Sequence, residues 1–304
     1  MNSKILPTLT VFTPTYNRGY CLNLGYEGLK RQTCKDFKWL IIDDGSTDNT
    51  KDLVDYWNNE AFIDIEYFYQ ENGGKHIALN TAYSLIETEL NVCIDSDDFM
   101  TDNAVELILN HWRMFGNKRF AGLVGLDIYK NGSIVGTKFP KGLNECKSYD
   151  LKRKYGVLGD KTYVYRTELM KELDPYPKFD NEKFVPPNYK FQQLDLKFDL
   201  LCFNQSLTVV EYMPDGSSLN IINLYLNNPK GFAHERKILM QIFPCFLDRF
   251  KYAMHYVSSS ILSKNNNFLR EAPNKNLVVI AIPFGIILHF YILYKLMRRH
   301  SNWN

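Results

Sequence analysis

Val92-Cys93-Ile94-Asp95-Ser96-Asp97-Asp98 is a short apolar run that stops at three carboxylates within four residues. Its β-forming start reads as a buried strand. Such a strand delivers Asp95 and Asp97 at its carboxyl end, the edge of an open α/β sheet where ligands bind. Two carboxylates at i and i+2 on a turn can face one hard cation. Magnesium or manganese takes one or two such ligands while phosphate oxygens supply others. The same residues also suit a plain acidic turn in which Asp98 caps the helix starting near Asn103. The surrounding chain separates the two readings.

Upstream, residues 8–12, 38–42 and 63–69 read as strands, joined by 91–94 as the fourth. Helical patterns follow each: 21–32, a segment ending near Trp57, 72–85 and 102–115. The run Trp39-Leu40-Ile41-Ile42 suits a strand covered on both faces. Four strand–helix units in succession predict a right-handed, mainly parallel α/β sheet with helices on both faces. Each strand ends in a polar cluster, at 14–18, 43–46, 72–75 and 95–98. Four loops converging on one sheet edge point to a site far more strongly than any single loop.

Several chemistries lack their signatures. No G-x-G-x-x-G follows the first strand, and no G-x-x-x-x-G-K-[ST], H-E-x-x-H or G-x-S-x-G occurs. Dinucleotide, P-loop, zinc-protease and serine-hydrolase readings therefore lose their main support. With 304 residues, 45% of them hydrophobic and 14% aromatic, the chain can bury a substantial core and is not disordered. A net charge of +2 gives no case for nucleic acid as a partner. Cys21, Cys34, Cys93, Cys146, Cys202 and Cys245 are scattered without a C-x-x-C pair, as reduced thiols in a cytosolic compartment are. The apolar start at 9–12 is too short for the core of a signal peptide.

Beyond residue 116 the alternation stops. Segments 120–129 and 133–137 flank Lys130-Asn131-Gly132, a hairpin signal. A strand at 162–165, a helical turn at 168–173, a Pro-broken loop at 180–188, a helix at 191–199 and a strand at 207–212 follow. Such sequence commonly forms the second wall of a cleft. Residues 236–261 read as one helix, with Ile238, Leu239, Ile242, Phe246 and Phe250 at helical spacing. Residues 277–294 then carry no Asp, Glu, Lys or Arg, and Lys295, Arg298, Arg299 and His300 come at once after them. A spanning helix needs about 20 apolar residues, and Pro283, Gly285 and His289 interrupt this one. An in-plane or re-entrant anchor with a basic collar for anionic lipid fits the pattern, with a plain core helix as the alternative. The expected division is one α/β domain over 1–225 and a helical, membrane-associating region over 226–304.

The motifs together are recognisable. T-P-T-Y-N-R (13–18), I-D-D-G-S-T-D (42–48), E-N-G-G-K-H-I-A-L-N (71–80) and I-D-S-D-D (94–98) resemble glycosyltransferase family 2, the inverting transferases of GT-A fold. G-D-K-T (159–162), N-E-K-F-V-P (181–186) and E-Y-x-x-D-G-S-S (211–218) resemble a bacterial subgroup that builds surface polysaccharides. The resemblance implies a Rossmann-like GT-A domain, with 1–115 as the nucleotide-sugar half and 116–225 as the acceptor half. It implies that Pro14, by its backbone, and Tyr16 lie against the nucleobase. Asp44 would accept a hydrogen bond from the base with Asp43 nearby, and Lys75 would lean toward the diphosphate. Asp95, Asp97 and Asp98 would hold ribose and a divalent metal, Mn2+ or Mg2+. Taken singly, Asp43 and Asp44 also suit helix caps, Tyr16 a surface aromatic and Lys75 a solvated helix start.

The implied donor is a nucleotide-sugar, a UDP-sugar first, and the acceptor a glycan or lipid-linked hydroxyl. The implied location is the cytoplasmic face of the inner membrane, with 277–300 against its surface. Where the subgroup carries an acid after F-V-P, this chain has Pro187. The base therefore falls to Glu182 first, with Asp195, Asp160 and Asp180 behind it. Two other functions stay open: a metal-dependent nucleotidyltransferase, which wants a Gly-rich basic loop that 13–17 does not provide, and a degenerate nucleotide- or glycan-binding module.

Overall fold

Two strands buried at every residue, β1 (Leu9–Thr15) and β2 (Phe37–Asp43), form the centre of the first half of the chain. The computed structural model describes residues 7–211 and 221–301. Between and after these strands come α1 (Gly19–Lys30), α2 (Thr50–Glu60), β3 (Ile65–Tyr69), α3 (Lys75–Leu85) and β4 (Leu90–Cys93). The short β5 (Phe99–Met100), α4 (Ala104–Phe115) and β6 (Phe120–Ile128) follow. Then come β7 (Glu145–Cys146), α5 (Ser148–Arg153), β8 (Lys161–Arg166), α6 (Thr167–Glu172), α7 (Asn188–Leu194) and β9 (Asp199–Val209). The chain ends in α8 (Ile221–Asn227), α9 (Pro229–Ile242), α10 (Phe246–Leu262), α11 (Phe268–Glu271) and α12 (Lys275–Ser301).

The strands make one nine-stranded sheet in the order β3-β2-β1-β4-β8-β6-β9-β5, with β7 paired to β9. The first four run parallel. β8 is antiparallel to both β4 and β6, which places its first residue at the carboxyl edge of the parallel strands. Alternation along β1 explains the double burial. Leu9 and Val11 join the core under α1, α2 and α4, with Leu22, Tyr26, Val54, Trp57 and Ile108. Phe12 faces the other way and meets the Tyr83 ring of α3 at 5.5 Å. Tyr26 and Trp57 stack at 4.6 Å and Trp57 and Trp39 at 5.8 Å, fixing α1 and α2 on β2.

The first four strand–helix units fall where the periodicity puts them, and the fold class is the expected one. The second half differs in three places. The expected hairpin partner at 133–137 is reduced to a bridge between Ile128 and Ile134, because β6 spends its pairing on β8 and β9. The expected helix at 191–199 is α7, which stops at Leu194, and β9 takes up the chain from Asp199. The expected helix over 236–261 is two helices, since 243–245 with Pro244 separates α9 from α10. Tyr212 and the rest of the motif after Glu211 lie outside the described residues.

Two compact units result: Met1–Pro175 with Leu194–Met213, and Tyr176–Gln193 with Pro214–Asn304. The boundary thus departs from the expected 225/226, since 176–193 belong with the helical unit. That unit has its own core, in which Ala253, Tyr256 and Val257 of α10 pack with Leu277, Val278 and Ala281 of α12.

Candidate active site

Four loops at the carboxyl ends of β1 to β4 are knitted together by short polar side chains. After β1, the Asn17 amide donates to Ser46 Oγ at 2.8 Å, and Asn17 Oδ1 accepts from the Thr47 amide at 2.8 Å. After β2, Asp43 accepts from the Ser46 amide at 2.7 Å and from the Tyr67 hydroxyl at 2.6 Å. Asp44 is 3% exposed, and its carboxylate accepts from Gln70 Nε2 (2.7 Å) and from the amides of Gly73 (2.9 Å) and Gly74 (2.7 Å). Gly74 presents that amide at φ +93, which a side chain would strain. Asp44 therefore anchors the loop before α3.

One expected result follows from this. Asp44→Ala strands two loop amides that the carboxylate had satisfied, at a cost of about 2–4 kcal/mol, and weakens nucleotide binding along with it. Chemical denaturation measures the first effect, and a stability loss under about 0.5 kcal/mol contradicts the anchoring role.

At the end of β4, Asp95 to Asp98 form a turn closed by the Asp98 amide on the Asp95 carbonyl at 3.0 Å. Asp95, Asp97 and Asp98 each bring a carboxylate oxygen within 4.8 Å of the others, all three half-buried. Lys75 Nζ, in the first turn of α3, sits 2.6 Å from Asp95 Oδ1. Burial pulls the Lys75 ammonium down, but Asp95, Cys93 and Asp97 together outweigh it and the net shift is upward. Lys75 is therefore held charged. Burial, then Asp95, raises Asp97. Burial, then Asp95, pushes Asp98 up to about 8, although its Oδ1 accepts from the Glu211 amide at 3.0 Å. Crowded carboxylates that resist joint ionisation are a set that a hard divalent cation would relieve. The expected ligands are thus brought together. Tyr16 is 49% exposed on the loop after β1, and Pro14 is buried in the strand.

The proposed bases scatter. Asp160 is exposed and immediately precedes β8. The pairs Asn91↔Tyr165 and Val92↔Val164, continued along the same antiparallel register, bring Asp160 level with the Asp95 turn. Asp195 lies where the chain enters β9, the end of that strand opposite the one that reaches Glu211. Its carboxylate accepts from the amides of Ser148 (2.9 Å) and Tyr149 (2.8 Å) and from Ser148 Oγ (2.6 Å), capping α5. Glu182, in the helical unit, is 8% exposed and accepts from the amides of Lys230 (3.0 Å) and Gly231 (2.8 Å), capping α9. Asp180 is in the same unit, in the loop before Glu182.

A further acid, Asp127 at the end of β6, stands outside every sequence motif. It is 4% exposed and accepts from Thr162 Oγ1 at 2.5 Å, with Thr208 Oγ1 a further 2.7 Å from that hydroxyl. A lone carboxylate closing the apolar strand G-L-V-G-L-D-I was its only sequence signal. Burial pushes Asp127 up to about 7. An unfolded Asp titrates near ~4, so between these values the folded chain keeps a proton that the unfolded chain has lost. Stability then falls as pH rises from ~4 to ~7, by at most about 1.4 kcal/mol per pH unit from this group. Thermal unfolding of the metal-free protein across that range should show a shallower slope for Asp127→Asn; an unchanged slope contradicts the assignment.

The sequence and the fold have counterparts in known proteins. Residues 10–171 match glycosyl transferase family 2. The chain is 34% identical over 111 residues to the chondroitin synthase of Escherichia coli, covering 36% of this chain and only 16% of that protein. It is similar in structure to S. aureus TarS 1–349 in complex with UDP-GlcNAc (TM-score 0.61, 17% identity, 92% of this chain and 80% of that one). It is also similar to the mannosyltransferase PcManGT from Pyrobaculum calidifontis in complex with GDP-Man and Mn2+ (TM-score 0.55, 15% identity, 99% and 84%). At such identities the likeness establishes the fold, which is GT-A. With the family pattern running through more than half of its length, the chain belongs to glycosyl transferase family 2.

Proposed function

We propose that the protein is an inverting glycosyltransferase that moves a sugar from a nucleotide-sugar, a UDP-sugar first, to a hydroxyl of a glycan or lipid-linked acceptor in bacterial surface polysaccharide synthesis. The observation that carries this reading is the trio Asp95, Asp97 and Asp98, its oxygens within 4.8 Å of one another at the carboxyl end of β4. That TarS was solved with UDP-GlcNAc, and PcManGT with GDP-Man and Mn2+, supports a nucleotide-sugar donor and a divalent ion.

In this reading Asp95, Asp97 and Asp98 hold Mn2+ or Mg2+, which when bound neutralises charge on the departing nucleoside diphosphate. Lys75 adds a fixed positive charge at the start of α3, where the helix dipole also favours phosphate. Pro14 and Tyr16 face the nucleobase, and Asp43 and Asp44 set the shape of the loops beneath it. The general base is Asp160, because Glu182 and Asp195 are committed to helix caps. Asp160 takes the acceptor's hydroxyl proton, the oxygen attacks the anomeric carbon, and the sugar–phosphate bond breaks on the opposite face, giving one inversion. The protein works at the cytoplasmic face of the inner membrane, with one side of 277–300 against the lipid.

The test is hydrolysis and transfer of UDP-sugars by the purified chain with Mn2+ and with chelator. Metal-dependent release of UDP is the expected result. Release of pyrophosphate instead, or no turnover of any nucleotide-sugar, overturns the reading.

A further inference from the structure

We propose that the first turn of α10 and the outer half of α12 form one surface that dips into an anionic lipid leaflet without crossing it. This deepens the membrane reading above. By length and composition alone, Lys275–Lys295 could cross a bilayer. Packing within the helical unit decides otherwise. Asn274 Oδ1 accepts from the Leu277 amide at 3.0 Å at the start of α12, and Leu277, Val278 and Ala281 are then buried in the core shared with α10. At Gly285 the two helices touch so closely that an added Cβ would lie 2.5 Å from Val257 Cβ and 2.8 Å from the Met254 carbonyl. One face of 277–285, through Leu277, Val278, Ala281 and Gly285, is therefore held by protein. What remains apolar beyond them, 286–294, extends only about 14 Å, less than half of a hydrocarbon core.

The exposed side of α12 is nevertheless organised. Ile280, Phe284, Ile287, Tyr291 and Tyr294 repeat at four- and three-residue steps, and each is between 48% and 67% exposed. The stripe continues onto α10, where Phe250 meets the Phe284 ring at 5.4 Å and stacks on Phe246 at 6.1 Å. Phe246 is 56% exposed and Leu247 71%. Exposed apolar side chains joined by ring contacts across two helices mark an interaction surface rather than singly scattered residues.

The far end of the strip names the occupant. Lys295 Nζ lies 5.0 Å from the centre of the Tyr291 ring, and the Arg298 guanidinium 5.6 Å from that of Tyr294. Tyrosines with cations directly behind an apolar stripe match the headgroup layer of an anionic membrane, where rings sit half-immersed and each cation gains from the surface potential. A helix in this position lies in the interface at shallow depth, with its Leu277, Val278 and Ala281 side packed on the protein.

The full chain is tested by flotation with vesicles of phosphatidylglycerol and phosphatidylethanolamine and with pure phosphatidylcholine. Binding to the anionic vesicles is expected, with a loss of about tenfold or more for Phe246→Ser/Leu247→Ser and again for Phe284→Ser/Ile287→Ser. In cells, a C-terminal tag should be cut by protease in inverted membrane vesicles and protected in spheroplasts. A tag cut in spheroplasts means a crossing and overturns the proposal. So does a full-length protein that ignores anionic vesicles, or one whose oligomer falls apart in the same variants, since the strip then joins two copies. UDP release is read separately, so failure of the proposed reaction and failure of the lipid surface are distinguishable.

Discussion

Asp97→Asn keeps the fold and lowers sugar transfer on the order of a hundredfold or more, the size of loss that follows removal of a charge-organising contact. The acidic turn is crowded, with three carboxylate oxygens within 4.8 Å of one another. Asp97 is raised by burial and by the Asp95 charge, so the folded protein carries unrelieved repulsion there. Replacing the carboxylate with an isosteric amide removes repulsion from the free protein while deleting a ligand from the occupied one. The unfolding temperature of the metal-free variant should therefore equal or exceed that of the wild type. Loss of turnover at saturating donor and Mn2+ then cannot be attributed to unfolding. Activity within a few-fold of wild type, with metal dependence kept, contradicts the assignment.

Asp160→Asn is the second large effect. As the proposed base, it should cost turnover about a hundredfold or more while leaving donor affinity nearly unchanged, because a base acts in the transition state and not in donor recognition. Glu182→Gln gives the contrast. Its carboxylate receives two backbone amides at the start of α9. The variant should lose about 1–2 kcal/mol of stability, as helix-cap removals do, and keep its turnover per folded molecule. Turnover measured beside chemical denaturation separates the two. If Glu182→Gln silences a well-folded enzyme and Asp160→Asn does not, the roles are reversed.

The first four strand–helix units could be read from the sequence because each is local: an apolar run, a polar break and a helical stripe. Their convergence on one edge follows from the handedness of parallel connections. Of β9 only the end was legible, in the strand expected over 207–212; Asp199-Leu200-Leu201-Cys202-Phe203-Asn204 lacks clean alternation and pairs with β6 through several register shifts. Nor did any local signal tell that 176–193 would join the helical unit, or that Glu182 would cap a helix 47 residues further on. The same limit applies to Asp44. Two adjacent acids after a strand were visible, but not that one of them would hold the amides of Gly73 and Gly74. Asp127 shows the converse: a side chain outside every motif becomes notable only when Thr162 and Thr208 are brought to it. The sequence marks which residues carry chemistry, and long-range packing decides which of them are already employed in holding the fold.

The most direct test of the acidic turn as a metal-bearing donor site is a calorimetric titration of UDP into the wild-type protein with Mn2+ and with chelator. The account predicts binding at least about tenfold tighter with Mn2+, and loss of that gain in Asp97→Asn. Equal UDP affinity in Mn2+ and in chelator, with Asp97→Asn indistinguishable from wild type, would contradict it.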